Sequence, residues 1–460
     1  MGRPAALRCL HCGTRAAAWP PPPACPACRT PEFASNLVCE YGETGAGAPG
    51  AGLTSPGEIR RLASLPGGVW RFAPLLPDVG APVTMGEGDT PLVRLARLGA
   101  NLGLASLWLK DESQNPTWSF KDRLCSVAVS VAASHAAPGI VAASTGNHGA
   151  STAAYAARAG LPCIIFATPT APPTIVTLMQ AYGAMVVIVP TSEDRWRMVG
   201  ACVEGWGWFS TTNSILPPVG STPYGLEGYK TIAYEVAAAL DWEVPDVFII
   251  PVSNGDGLIG IWSGFQDLLA CGAIARLPRL IAAEPYPAYS EALLVSPHRL
   301  ITVPRSQSVA FNVGTGAPTY QGLAALRESG GEAVVVDDDT ALAMQRRVAG
   351  TEGMYAEVSS VISVAAAAGL VAARRLPSDA RVVCLSTSSG LKDPGATAKT
   401  LPPAPVIEPD LTALGRALAH TYGFSRRSDA VRSFRRTQAL HLGAGRTPRR
   451  DGGAGEEDPP

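Results

Sequence analysis

Two groups of residues in this chain have the type and spacing to do chemistry: a lysine in an unusual setting and two pairs of cysteines. The lysine stands in "NPTWSFKDR", residues 115–123. Asn-Pro-Thr is turn chemistry, and the "FKDRLCSVAVSVAA" that follows reads as a helix with Ser119 available as its cap. At a helix N-terminus the partial positive charge of the backbone disfavours an ammonium and favours the neutral amine. A neutral amine is the form that condenses with an aldehyde. Taken alone, Lys121 reads first as a surface lysine paired with Asp122 or Glu112. The cysteines are Cys9/Cys12 and Cys25/Cys28, two Cys-x-x-Cys knuckles with twelve residues between them. That is zinc-ribbon spacing, and four thiolates close a tetrahedral structural site. His11, inside the first knuckle, reads as a bystander.

Three more stretches could act with Lys121. "STGNHG" (144–149) follows an apolar strand and opens a helix, so its backbone N–H groups could hold a carboxylate while Asn147 offers an amide to a ring oxygen. "SNGDG" (253–257) is a Gly-rich strand-to-helix loop of the kind that cups a phosphate; it lacks P-loop spacing and a following lysine, so no nucleoside triphosphate is implied. "STSSGLKDP" (386–394) places the hydroxyls of Thr387 and Ser388 at a strand end. Each alone is also a plain turn. Together, a lysine, an amide, a phosphate cup and a hydroxyl are the parts that hold pyridoxal phosphate.

The elements that must position them alternate between strand and helix. "GIVAAST", "CIIFAT", "AMVVIVP", "DVFIIPVS", "RLIAAEP", "EAVVVDD" and "RVVCLST" are buried-strand runs, and helix-like segments separate them. Apolar strands bounded by helices mean parallel sheets covered on both faces. Two such series predict two doubly wound α/β domains, with ligands at the carboxyl ends of the strands. The expected organisation is a zinc ribbon over 1–40, a Gly/Ala/Pro linker over 41–69 and a catalytic core over 70–422. Within the core a smaller subdomain spans about 118–225 and a larger one takes the rest; a tail over 423–460 is expected to be partly disordered.

Composition narrows the functional class. With a formal net charge of −1 over 460 residues there is no basic field for nucleic acid or an anionic membrane. No apolar run is long enough to span a bilayer, and "MGRPAALRCLHC" lacks the charged-then-apolar layout of a secretory signal. A cytoplasmic protein acting on a small molecule is expected. The six remaining cysteines are scattered and read as small buried hydrophobes.

The order of these segments resembles the threonine synthase family, within the fold type II (tryptophan-synthase-β-like) pyridoxal-phosphate enzymes. "GEGDTPLVRL" (86–95), "KDESQNPTWSFKDR" (110–123), "STGNHGAS" (144–151), "YGLEGYKTIAYE" (224–235) and "GLKDP" (390–394) carry the resemblance, which runs from Cys9 to about residue 422. It implies that Lys121 is the Schiff-base lysine and moves protons at substrate carbons, and that Asn147 bonds the cofactor's ring oxygen. It implies a phosphate cup of Asn254, Gly255, Asp256, Gly257 and Leu258, and a hydroxyl from Thr387, or else Ser388, facing the pyridine nitrogen. Ser144, Thr145, Gly146 and His148 fall where the family binds the substrate. The implied activity is pyridoxal-phosphate-dependent elimination and addition on an amino acid, most simply O-phosphohomoserine plus water giving threonine plus phosphate, in a protein that is commonly a homodimer. A structural zinc at the four cysteines agrees with the resemblance.

The chain departs from the pattern at the positions that would read that substrate. Trp118 stands where the family has glycine and His148 where it usually has threonine; Gly225 replaces an arginine that can meet phosphate. A phosphate without such an arginine loses its most geometrically specific partner; Lys230 and Arg123 are the nearby cations. Asp256 is tolerable in an anion cup only if its carboxylate points away. These changes keep open a serine/threonine-dehydratase-like or cysteate-synthase-like β-elimination or β-replacement on another amino acid. A binding protein on a decayed scaffold is disfavoured by Lys121, Asn147 and Thr387.

Overall fold

Three sheets organise the residues described by the computed structural model, namely 6–41, 55–295, 300–304 and 307–424. The first is small and antiparallel, with β1 (Ala6–Cys9) between β2 (Arg15–Ala16) and β3 (Leu37–Glu40). The chain then supplies β4 (Leu92–Arg94), β5 (Ser106–Asp111), β6 (Ile140–Ala143), β7 (Cys163–Ala167), β8 (Met185–Ile188) and β9 (Phe209–Ser210). It ends its strands with β10 (Val247–Pro251), β11 (Arg279–Glu284), β12 (Glu332–Val335) and β13 (Arg381–Ser386). A four-stranded sheet runs β8-β7-β6-β9, all parallel. A six-stranded sheet runs β12-β11-β10-β13-β5-β4, parallel except that edge strand β4 is antiparallel to β5. The central strands β7 ("CIIFA") and β10 ("VFIIP") are buried along their whole length, because helices cover both faces.

The helices Lys121–Ser134 and Pro223–Ala239 pack closely, and small residues make the approach possible. A Cβ on Gly228 would lie 2.1 Å from the Arg123 carbonyl oxygen, and one on Gly225 would lie 2.6 Å from Leu124 Cγ. This is why glycine serves at 225: a longer side chain would separate two helices that are buried along most of their length.

The segment read as a linker is partly folded. Residues 42–54 lie outside the described residues, but Pro56–Ala63 is a helix. Ser55 caps it through the Glu58 N–H, Pro56 pre-sets its first turn, and Ile59 and Leu62 are buried. Ordered structure therefore begins ahead of residue 70. At the other end, Asp410 and Gly423 bound a helix over Leu411–Tyr422 that buries no residue, while the tail expected beyond it lies, from residue 425, outside the described residues. Among the described residues no helix is long and apolar enough to cross a membrane.

The N-terminal sheet is fastened to the core by specific contacts. Trp19 stacks on His135 (4.2 Å between centroids) and on Phe209 (5.5 Å). The Tyr41 hydroxyl donates to Glu227 (2.9 Å), and Asn36 donates to the Ser221 carbonyl (2.9 Å).

Candidate active site

The "NPT" turn delivers Lys121 to the start of its helix. Trp118 N–H donates to the Asn115 carbonyl (2.7 Å), closing the turn, and Trp118 takes a φ of 59°, in the left-handed region that favours glycine. The turn is stitched to a strand end some 270 residues away. Trp118 O accepts from Ser388 Oγ (2.9 Å) and Ser389 N–H (3.1 Å), and Phe120 N–H donates to the Thr387 carbonyl (3.0 Å). Ser119 Oγ accepts from Lys121 N–H (3.1 Å), as a helix start requires.

The carboxylates that might have neutralised Lys121 are occupied elsewhere. Asp122 accepts from Thr117 N–H (2.6 Å), Thr117 Oγ1 (2.5 Å) and Ser151 Oγ (2.6 Å), and burial pushes its carboxyl up to about 6. Glu112 is bound by Arg123 (2.7 Å). Lys121 Nζ lies instead over the rings of Phe120 (4.8 Å) and Tyr229 (5.7 Å). Burial pulls its pKa below the ordinary lysine value, and the opposing pull of Asp256 and Cys125 does not overcome that. Those surroundings favour the neutral amine over the ammonium.

It faces a cleft of about 1070 Å³, lined by Lys121, Ser144 to His148, Asn254 to Leu258 and Thr387. That volume reaches the upper end of the roughly 300–1,000 Å³ usual for small-molecule sites, enough for a cofactor and a substrate together. All the loops named from the sequence thus converge, with one distinction. Thr387 is on the cleft wall, its Oγ1 2.9 Å from Ser360 Oγ, whereas Ser388 is turned to Trp118 O and is not on the wall.

Asn147 begins the helix Asn147–Ala159 and is clamped at both ends of its amide. Oδ1 accepts from Lys392 Nζ (2.8 Å), and Nδ2 donates to Glu357 (2.8 Å), leaving that nitrogen a second hydrogen. Lys392 is buried, and burial lowers it to about 8 against the pull of Asp122 and Glu357. His148, one residue on, is buried with Nε2 lacking a hydrogen-bond partner. Burial and the neighbouring charge of Lys121 hold its imidazole neutral. A buried polar atom on a cleft wall without a partner is a place for a ligand atom.

The second loop of the pair caps the helix Asp256–Ala270. Gly255 has φ 76°, and a Cβ there would lie 2.6 Å from Gly322 Cα, so both backbone and space demand glycine. The Asp256 carboxylate does point away from the loop. It accepts from Ser221 N–H (3.0 Å), Ser221 Oγ (2.6 Å) and Gln321 Nε2 (2.6 Å). The residues present fit pyridoxal phosphate: an amine without a carboxylate partner, an amide with a hydrogen to give, a helix start with open N–H groups and a hydroxyl opposite.

Several expected or alternative residues lie elsewhere. Arg123 is sealed between Glu112 and Glu235, and Lys230 between Glu227 (3.0 Å) and Asp267 (3.3 Å), so neither lines the cleft. The Trp118 side chain is 48% exposed and is also absent from the cleft wall. Sequence reasoning missed Arg195, the one arginine among the described cleft-lining residues, with Nη2 2.9 Å from Ser192 Oγ. The strand-end rule could have found it, since it follows β8. It missed Asn312, Glu357 and Lys392 as well; the first two carry no local signal.

The four cysteines form a separate cluster. Cys9 and Cys28 Sγ are 3.6 Å apart, as are Cys12 and Cys25, and all four lie within 4.8 Å of one another. A tetrahedron of thiolates at about 2.3 Å from zinc has edges of roughly 3.8 Å. His11 stands outside it, with its ring against Phe33 (4.9 Å) and Tyr320 (5.0 Å).

Comparison with known proteins agrees with this geometry. A family described as "Pyridoxal-phosphate dependent enzyme" matches residues 83–388. Threonine synthase of Methanocaldococcus jannaschii is 36% identical over 360 residues, covering 76% of this chain and 87% of that protein. That of Methanosarcina acetivorans is 34% identical over 356 residues (76% and 86%), and that of Mycobacterium tuberculosis 32% over 349 (74% and 93%). Among solved structures, maize serine racemase shares the fold with a TM-score of 0.58 at 21% identity, covering 76% of this chain and 97% of its own. A threonine deaminase of Solanum lycopersicum does so with a TM-score of 0.56 at 20% identity (73% and 83%).

Proposed function

The chain belongs to the threonine synthase family of pyridoxal-phosphate-dependent lyases, and on that premise we propose that it converts O-phosphohomoserine and water into threonine and phosphate. The observation that carries the proposal is the meeting of Lys121, Asn147, the 254–258 loop and Thr387 on one cleft, in a chain that is 32–36% identical to three threonine synthases. Pyridoxal phosphate, when bound, supplies an electron sink for charge developing at substrate carbons. Lys121 anchors it and carries protons at those carbons. The second Nδ2 hydrogen of Asn147 goes to the ring oxygen, Lys392 and Glu357 keep that amide from turning, and the 254–258 backbone takes the phosphate. Thr387 would offer the ring nitrogen a hydroxyl in place of a carboxylate.

The Ser144 N–H is spent on the Phe166 carbonyl (2.9 Å) and the Gly146 N–H on Ser144 Oγ (3.2 Å), so the Thr145 N–H and the hydroxyls of Ser144 and Thr145, with His148, receive the substrate carboxylate. Arg195 takes the role of the cation missing at Gly225 and meets the substrate phosphate. It follows β8, two strands from β6, about 10 Å across the sheet by strand spacing, a gap that an extended substrate and an arginine side chain together bridge. Arg195→Gln is expected to raise KM for O-phosphohomoserine roughly tenfold or more while changing kcat much less. Steady-state kinetics check it; an unchanged KM removes Arg195 from the site.

A β-elimination or β-replacement on another amino acid remains the second reading, favoured by Gly225 and His148. Product analysis separates the two. Equimolar threonine and phosphate from O-phosphohomoserine supports the first, and pyruvate or a replacement product from a serine derivative, with no turnover of O-phosphohomoserine, supports the second. We extend the proposal to a structural zinc on Cys9, Cys12, Cys25 and Cys28, in a cytoplasmic homodimer. Purified protein is expected to carry one zinc per chain by elemental analysis and to lose it on Cys25→Ser; metal-free protein with four freely titrating thiols contradicts that.

A further inference from the structure

We propose that Asn36, on the N-terminal four-cysteine unit, is a positioning residue for the cofactor's phosphate: through Gln321 it keeps the Asp256 carboxylate turned out of the 254–258 loop. The inference rests on the pyridoxal-phosphate reading above and extends it to a part of the chain far from the cleft in sequence.

The connection is a chain of hydrogen bonds whose directions are all fixed. Leu37 N–H donates to Asn36 Oδ1 (2.8 Å), so the other end of that amide, Nδ2, must face outward. Asn36 Nδ2 donates to Gln321 Oε1 (2.9 Å) and to the Ser221 carbonyl (2.9 Å). With its oxygen held there, Gln321 can only present Nε2 to Asp256 Oδ1 (2.6 Å). Ser221 completes the grip with its N–H (3.0 Å) and hydroxyl (2.6 Å). Asn36 and Gln321 are buried and off the cleft wall, so water does not substitute for the bond between them.

Gln321 is the second residue of a helix, Tyr320–Glu328, whose first turn lies between the four-cysteine unit and the phosphate loop. Thr319 Oγ1, its cap, donates to the Asn254 carbonyl (2.6 Å), and Tyr320 packs against His11 and Phe33 of the N-terminal unit. Asn36 is itself tied to the first knuckle, because Leu10 N–H donates to its carbonyl (3.3 Å) and Leu37 pairs with Cys9. Asp256 is the first residue of its helix. A carboxylate there is one short rotation from a phosphate on the same N–H groups, and like charges at contact distance repel. Fixing the Gln321 amide removes that rotation.

The test is to titrate apo-protein with pyridoxal phosphate and, separately, with pyridoxal, which lacks the phosphate, following tryptophan fluorescence. Asn36→Ala and Gln321→Met are expected to weaken pyridoxal phosphate roughly tenfold while leaving pyridoxal within about twofold of wild type. Tyr41→Phe, which loses a different bond between the N-terminal unit and the core, should change neither and serves as the control for loosened docking. The inference is overturned if the two variants bind pyridoxal phosphate as wild type does, if they weaken pyridoxal equally, or if Tyr41→Phe matches them. Wild-type protein that takes up no pyridoxal phosphate would overturn the functional reading itself, and this inference with it.

Discussion

Lys121→Ala is expected to lower kcat by at least ~10³, and Lys121→Arg by as much, with the fold and melting temperature of both variants unchanged. A positioned acid–base group contributes about 10²–10⁴, and Lys121 also makes the covalent link, so its loss removes two contributions. The arginine variant is the sharper of the two, because a guanidinium keeps the charge and has no free electron pair to offer. Steady-state rates and a thermal melt check this together. The rival is Lys392, also buried and lowered to about 8. It is already spent on Asn147 Oδ1 at 2.8 Å and is not on the cleft wall. Activity surviving at more than about a tenth of wild type in Lys121→Ala would transfer the role elsewhere.

The largest loss of stability is expected from Arg123→Met. Arg123 is wholly buried and bridges two carboxylates, Glu112 through Nε (2.7 Å) and Nη2 (2.9 Å), and Glu235 through Nη1 (2.8 Å) and Nη2 (2.7 Å). Lys110 also meets Glu235 (2.7 Å), and Thr90 meets Glu112 (2.6 Å). Removing one member of a buried ion network leaves uncompensated charge and costs about 3–5 kcal/mol, read as a lowered denaturant midpoint. The pH dependence has a definite sign. Burial alone would raise the Glu235 carboxyl, but Arg123 and Lys110 hold it well below the carboxylate range. Its contribution is therefore present above the unfolded value of about 4.3 and is lost as pH falls through the lower folded one. The gap between wild type and Arg123→Met should narrow in acid. A gap that is constant or widens there would mean that packing, not charge, is what Arg123 supplies.

Those two residues mark how far the sequence could be read. The place of Lys121 at a helix start was legible because its signals are local: a turn, a cap and a helix start within nine residues. β6, β7, β8 and β10 to β13 were legible because each is a short apolar run. β5 was not read as a strand, since its "LKD" end is charged and its Lys110 is made bearable by the Thr90 carbonyl and by Glu235, 125 positions away. β9 is too short at two residues to show a period. The same physics hid Glu357, 210 positions from Asn147, and Asn312, 165 positions from it: a polar residue looks ordinary until its distant partner is in place. Asp256 was flagged as acceptable only if turned away, and Ser221 and Gln321, neither foreseeable from the loop, are what turn it. At 118 the family's glycine matches a left-handed backbone, but the exposure of the tryptophan that replaces it has no signal in the sequence.

The most direct measurement is borohydride reduction of the purified holoprotein followed by peptide mapping by mass spectrometry. The account predicts the mass of reduced pyridoxal phosphate on Lys121 alone, in the peptide that contains "NPTWSFKDR". A label on Lys392 or on any other lysine, or cofactor that is bound and not trapped, would contradict it.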